Sequence, residues 1–344
     1  MLLEEFRPKP ALVTRTTSVN RPKFPVFDAH NHLGEFGGGA IDKLSLDALC
    51  AQLDEAGVAH FVDLDGGWSE DVLQRHIEYL APRAERFQVF GGVDWSRWQD
   101  LGPVFPEAAA RRLEVQKSRG ATGLKIWKSL GLHVKDHLGD LVSVDDARLD
   151  PIWQSAGELG MPVVIHVADP VAFFDPVDET NERWEEITAN PDWAFTSPPF
   201  PPFLSIANGL AAVVSRHPKT IFIGAHVGCY AENLAWVGRV LDDCPNFYVD
   251  ISARIGELGR QPYTARRFFI QYADRILFGL DAGPHIDSYR LAYRFLETDD
   301  EYFNYDPGEL PTQGRWYVDG LFLPDDVLEK VYSKNATQIL KGEV

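Results

Sequence analysis

Val26-Phe27-Asp28-Ala29-His30-Asn31-His32 is a short, largely apolar run that ends in a pair of histidines. Runs of the same build recur along the chain: β-branched or aromatic residues that follow a polar stretch and end in Asp, His or Gly. Strands buried on both faces look like this. Eight are expected, at Pro25 to His32, Val58 to Asp65, Phe87 to Asp94, Thr122 to Trp127, Pro162 to Asp169, Thr220 to Gly228, Asn246 to Ile251 and Arg275 to Asp281. Helical patterning lies between them, at Ser45 to Ala56, Glu70 to Leu80, Glu107 to Arg119, Asp150 to Leu159, Leu204 to Arg216, Ala231 to Asp242 and Ala265 to Tyr272. Alternating strand and helix around eight strands predicts an α/β protein, a (β/α)8 TIM barrel.

A chain of 344 residues allows two domains or one large barrel, and the spacing favours one domain over 1–344. Residues 1–24 form an N-terminal arm outside the barrel, 25–298 the barrel, and 299–344 an irregular aromatic excursion with a closing helix from about Pro324 to Leu340. The longest gap, an insertion after strand 5, carries Phe173, Phe174, Trp184, Trp193, Phe195 and Ser197-Pro198-Pro199-Phe200-Pro201-Pro202. A βα loop lies at the C-terminal mouth, so this segment is either a lid or pocket wall, or a surface excursion that buries its own aromatics.

Hydrophobic residues make up 45% and charged residues 24% of the chain, the profile of a soluble globular protein. Lys and Arg total 33 against 51 Asp and Glu, a net charge of −18 that repels phosphate backbones and anionic membranes. Met1-Leu2-Leu3-Glu4-Glu5-Phe6-Arg7 has no basic segment followed by an apolar run, and no stretch approaches the ~20 apolar residues of a membrane span. A cytoplasmic protein with a small-molecule substrate is expected, with neither nucleic acid nor membrane as partner, and with a homodimer allowed. The three cysteines, Cys50, Cys229 and Cys244, form no C-x-x-C pair, so any metal must use imidazole and carboxylate.

A period of two puts His30 and His32 on one strand face, pointing into the barrel, where two imidazoles can hold one metal. His166 ends the fifth strand, His226 the sixth and Asp281 the eighth. Taken singly, each histidine reads as a hydrogen-bonded core residue. Together, four of the ten histidines and one aspartate converge on one end of one barrel.

In this ordered set the sequence resembles the amidohydrolase superfamily, in particular its amidohydrolase-related, aminocarboxymuconate semialdehyde decarboxylase-like branch, over nearly the whole chain. The resemblance implies a divalent metal, usually zinc, held by His30, His32, His166 and Asp281. It also implies that His226 lies beside the metal, handling protons or polarising an oxyanion in one-metal members and ligating a second ion in two-metal members. Alternation turns Lys125 inward with Gly123 and Trp127, at the strand where two-metal relatives carry a carboxylated lysine. Its alternative is an ammonium that pairs with an inward acid or a substrate carboxylate. One ion is expected, with two as the alternative. Lys128 should face outward or sit on the following loop.

A divalent ion with an open position lowers the pKa of bound water to around 7. Asp281 can accept the proton and return it to the leaving group, while the metal or His226 stabilises the oxyanion. The leading expectation is therefore a hydrolase of a small carboxylated or cyclic amide, lactone or ester. The alternative is a metal-dependent, non-oxidative decarboxylase, and a non-catalytic binding barrel would require a broken ligand set. Arg254, after strand seven, is placed to clamp a substrate carboxylate, or else forms a salt bridge to Glu257 or Asp250. Trp127, with Trp68, Trp95 and Trp98, follows a strand end and is expected to line an aromatic pocket. His285 is expected at the pocket rim, whereas His133 and His137 sit in a loop and are set aside.

Overall fold

In the computed structural model eight parallel strands neighbour one another in sequence order, β1 (Val26–Asn31), β2 (Val58–Asp63), β3 (Phe87–Gly91), β4 (Gly123–Ile126), β5 (Val163–Ile165), β6 (Phe222–Gly224), β7 (Phe247–Asp250) and β8 (Ile276–Leu277). The structure describes residue 1, residues 5–306, residue 308 and residues 312–342. Parts of the arm (2–4), of the C-terminal excursion (307 and 309–311) and the last two positions (343–344) lie outside the described residues. Backbone bonds from Ala29 N to Phe278 O (2.9 Å) and from Leu280 N to His30 O (3.1 Å) join the last strand to the first. The molecule is a (β/α)8 barrel, as the strand spacing predicts.

Eight longer helices follow the strands: α1 (Leu46–Ala56), α2 (Glu70–Leu80), α3 (Phe105–Ser118), α4 (Asp150–Glu158), α5 (Phe203–Arg216), α6 (Leu234–Asp243), α7 (Pro262–Gln271) and α8 (Ile286–Glu297). Ser45 and Ser69 cap α1 and α2 by accepting from Ala48 N and Val72 N, which satisfies donors that the first helical turn leaves open. The sequence reading omits α8, although Tyr289, Ala292, Tyr293 and Leu296 are buried at helical spacing. Outward strand residues such as Leu124, Ile126, Val163 and Val249 pack under the helices. Phe27, Ala29, Val62, Leu64, Phe90, Val164, Ile223 and Leu277 fill the barrel, and Ala336, Ile339 and Leu340 close its floor. Each of the larger of these buried side chains contributes about 1.5–3 kcal/mol.

The arm runs outside the barrel, where Arg15 meets Asp299 at 3.0 Å and Lys23 meets Asp325 at 2.7 Å. The closing helix is regular only over Asp325–Glu329 and continues in wider turns to Lys341. No helix among the described residues is long and apolar enough to cross a membrane.

Most strands are shorter than the runs that announce them. β5 ends at Ile165, and Asp281 lies four residues past β8. The chain turns sharply there, with His226 and Asp281 at φ of 58° and 59°. The end of β1 departs from strict alternation as well. Phe27 and Ala29 both belong to the inner cluster, so a regular strand would turn His30 outward. Instead the register with β2 breaks between Asp28 and Asn31, and His30 and His32 both face the mouth. Such a break re-aims a side chain without ending the sheet. Asp28 and Asn31 stay on the outer side, where the Tyr289 hydroxyl donates to Asp28 Oδ2 at 2.6 Å and accepts from Asn31 at 3.1 Å. Asp28 Oδ1 accepts from His30 N and Leu280 N, pinning the break to the strand-eight seam.

Tyr289→Phe should therefore destabilise the protein by about 1–3 kcal/mol, the cost of leaving a buried acceptor short of a donor. Urea denaturation measures it, and an unchanged midpoint would show that the hydroxyl does not hold the end of β1.

Candidate metal centre

A cavity of about 490 Å³ opens at the C-terminal mouth, with His30, His32, His166, His226 and Asp281 in its wall. The hydrogen-bond partners of three of these histidines lie behind the rings. His30 Nδ1 bonds Asp250 Oδ2 at 2.8 Å, His32 Nδ1 bonds Asp65 Oδ1 at 2.6 Å, and His226 Nδ1 donates to the Ser252 carbonyl at 3.0 Å. An imidazole that donates from Nδ1 has its lone pair on Nε2. Those Nε2 atoms gather on Asp281: Oδ1 is 3.0 Å from His32 and 3.6 Å from His30, and Oδ2 is 3.7 Å from His226. The His166 ring stands 4.4 Å from that of His226, and its Nε2 lies 3.5 Å from Asp169 Oδ1.

His32 Nε2, His166 Nε2 and Asp281 Oδ1 are buried without a hydrogen-bond partner among the described residues. Ligand atoms of His30, His226 and Asp281 fall within 4.8 Å of one another. Imidazole nitrogens and a carboxylate gathered at this spacing suit a divalent cation, which would displace the proton that His32 shares with Asp281. The set fits zinc or a neighbouring ion by donor type.

Burial lowers the His30, His226 and His166 imidazoles, His166 to about 4, with Lys125 adding to the effect at His30 and Arg254 at His226. Burial works against His32 too, but the Asp281 and Asp65 carboxylates outweigh it and raise the group to about 9. Burial alone would raise Asp281, yet the charges of His30, His32 and Lys125 hold its carboxyl well below the usual range.

Lys125 is inward and buried, with Nζ 3.1 Å from His30 Nε2 and 4.9 Å from the Trp127 ring centre. It makes no ion pair with an inward acid among the described residues, contrary to that part of the expectation. Burial lowers its pKa. Arg254 is buried, donates to the Ala253 carbonyl at 2.8 Å, and pairs with neither Glu257 nor Asp250. Arg183, from the insertion, takes Glu257, while Asp250 is engaged by His30 and Ser252. Lys128 sits on the loop after β4 but reaches the cavity wall, paired with Asp169.

The insertion is a pocket wall, since it supplies Asp169, Phe173, Arg183, Glu186 and Trp193 to the cavity. Of the four tryptophans only Trp127 lines it. Trp68 borders a separate cavity of about 400 Å³, and Trp95 and Trp98 pack on Phe105. His285 stands at the start of α8 and is absent from the wall, and His133 packs on Phe195 and Phe200. The sequence reading misses Asp65, Asp169, Asp250, Ser252 and Arg183 as site residues. The three aspartates end or follow strands, a signal present in the sequence whose partners only folding reveals.

The sequence matches the family model described as amidohydrolase over residues 27–342. The chain belongs to the amidohydrolase family. No curated protein matches it. Among solved structures it is similar to 2,6-dihydroxybenzoate decarboxylase from Rhizobium, at 16% identity and a TM-score of 0.56 over 92% of this chain and 99% of that one. It is also similar to dihydroxybenzoic acid decarboxylase from Polaromonas sp. JS666 with bound manganese and 2-nitroresorcinol, at 17% identity and a TM-score of 0.57 over 93% and 98%. An uncharacterized TIM-barrel protein from Bordetella bronchiseptica matches at 16% identity and a TM-score of 0.52 over 93% and 98%. At these identities the likeness is one of fold.

Because His32 is raised from 6.5 to about 9 in the folded chain, its contribution to stability is present below about pH 6.5 and lost as pH rises through 9. In chelator-treated protein, Asp65→Asn should shrink that loss. Denaturation midpoints across this range measure it, and a profile identical to wild type would remove Asp65 from the account.

Proposed function

We propose that the protein is a metal-dependent hydrolase of a small, cyclic or carboxylated amide, lactone or ester. The split carboxylate of Asp281 carries this reading: Oδ1 lies among the Nε2 atoms of His30 and His32, while Oδ2 turns toward His226. On this reading one oxygen ligates and the other moves a proton. The proposed ligands are His30, His32, His166 and Asp281, for one zinc ion. A second ion, with His226 and a carboxylated Lys125 as ligands, is the alternative. When bound, such an ion supplies Lewis-acid polarisation and a water of pKa around 7.

Asp281 accepts the proton from the attacking water and delivers it to the leaving group. His226, whose Nδ1 is committed to the Ser252 carbonyl, offers a lone pair at Nε2, so it ligates or accepts a proton and polarises an oxyanion only once protonated. Arg254 holds a substrate carboxylate through its guanidinium fork, and Trp127, with Phe36, Phe173 and Trp193 on the same wall, faces a flat ring. A buried arginine without an acid partner among the described residues supplies the local positive field that a chain of net charge −18 lacks at long range.

The second reading is a non-oxidative carboxy-lyase, favoured by the two buried cations beside the ligand set and by the decarboxylase activity named for two of the proteins similar in fold. Turnover in ¹⁸O-labelled water separates the two. Label in the organic product without release of carbon dioxide supports hydrolysis, and release of carbon dioxide with no label in the organic product overturns it.

Asp281→Asn should lower kcat by about 10²–10⁴-fold, the usual contribution of a positioned proton carrier. Activity above about 10% of wild type would end that assignment. Arg254→Ala should raise KM for carboxylated substrates by roughly 10–100-fold, matching the loss of a charge-assisted bond of about 1.5–3 kcal/mol. Equal losses on neutral and charged substrates would show Arg254 to be a structural residue instead.

A further inference from the structure

We infer that Asp250 is a positioning residue for two of the metal-site histidines at once, His30 on β1 and His226 after β6, and that Gly279 opens the gap through which it reaches the first. The inference rests on the metal reading above.

Asp250 ends β7 and is wholly buried. Its Oδ2 accepts from His30 Nδ1 at 2.8 Å. Its Oδ1 accepts from His226 N at 3.1 Å, from Ser252 N at 3.1 Å and from the Ser252 hydroxyl at 2.5 Å. One carboxylate therefore fixes the ring of one histidine and the backbone of another.

The first contact spans the barrel seam. β8 lies between β7 and β1, and the chain just past it runs alongside the contact between Asp250 and His30. Gly279 stands there. A Cβ built on it would lie 2.7 Å from His30 Cβ and 3.4 Å from Ser252 Cβ. A side chain at this position would collide with His30 and press on Ser252, so glycine leaves room for the contact between Asp250 and His30.

The second contact holds a strained turn. His226 and Val227 both have positive φ, 58° and 59°, a conformation costly to residues other than glycine. The bond from His226 N to Asp250 stabilises that turn, which aims the ring at Asp281. Ser252 Oγ lies 3.0 Å from Nδ1 of both His30 and His226, joining the two rings from behind. Asp65, by contrast, supports the ring of His32 alone among the histidines.

Removing one such support weakens metal binding about 10–100-fold. Asp250→Asn keeps one acceptor oxygen and puts an amide donor against either His30 Nδ1 or the His226 and Ser252 amides, so it should weaken Co²⁺ binding by about 10–100-fold, and Asp65→Asn by about tenfold. The test is a Co²⁺ titration of the full chain followed by the visible absorption of the bound ion, with melting temperatures of the metal-free forms recorded alongside. Weaker binding with an altered Co²⁺ spectrum in Asp250→Asn is the result expected. Binding within threefold of wild type with an unchanged spectrum overturns the inference, whatever happens to the melting temperature. If Asp250→Asn does not fold, Ser252→Ala removes only the hydroxyl between the rings and should weaken Co²⁺ binding several-fold; unchanged binding then overturns the inference. Wild-type protein that takes up no Co²⁺ contradicts the metal reading itself, and the inference falls with it.

Discussion

A buried imidazole can offer one nitrogen to a ligand, and the bond made by the other nitrogen decides which one it offers. The carboxylates of Asp250 and Asp65 and the carbonyl of Ser252 take the Nδ1 atoms of His30, His32 and His226, leaving three Nε2 atoms directed at Asp281. Much of the local architecture serves that direction: the register break in β1, the left-handed turns at His226 and Asp281, and the side-chain-free position just past strand eight. Three buried atoms of this centre, His32 Nε2, His166 Nε2 and Asp281 Oδ1, are left without a hydrogen-bond partner among the described residues. At about 1–3 kcal/mol for each unsatisfied group, such an arrangement is costly unless a cation offsets it.

Charge is arranged around this centre with the opposite sense to the molecule as a whole. Arg183 lies between Glu186 and Glu257, and Arg260 and Arg315 tie Glu182 and Glu185 of the same insertion to the body of the protein. The wall is thus clamped at several points. Its clamp also occupies the acid nearest in sequence to Arg254, so Arg254 keeps its guanidinium for the cavity. A strongly acidic protein acquires a small basic pocket through the choice of who pairs with whom.

Most of the barrel was legible because buried parallel strands are continuous apolar runs and because ligand residues stand at their ends. His30, His32, His166, His226 and Asp281 all reach one mouth, as their positions imply. The reason given by simple alternation for His30 is incomplete, since Ala29 faces inward as well and only the register break turns His30 to the same side. The partner of Arg254 could not be read from local sequence, because the competing arginine comes from an insertion about seventy residues earlier. The supporting aspartates were hidden for a related reason: an Asp at a strand end is common, and what it supports depends on which strand lies beside it. The helical period of α8 is carried by Tyr289, Ala292, Tyr293 and Leu296, where two tyrosines and the interleaved arginines blur the apolar stripe.

The central claim is that these side chains surround one divalent ion through imidazole nitrogen and carboxylate oxygen. X-ray absorption spectroscopy at the edge of the bound metal, on protein loaded with a single equivalent of zinc, tests it most directly. The account predicts a shell of light N/O donors with the outer scattering of two or more imidazoles, diminished when His30 and His32 are both replaced by Ala. A shell of water oxygens without imidazole scattering, or one unaffected by that replacement, would contradict it.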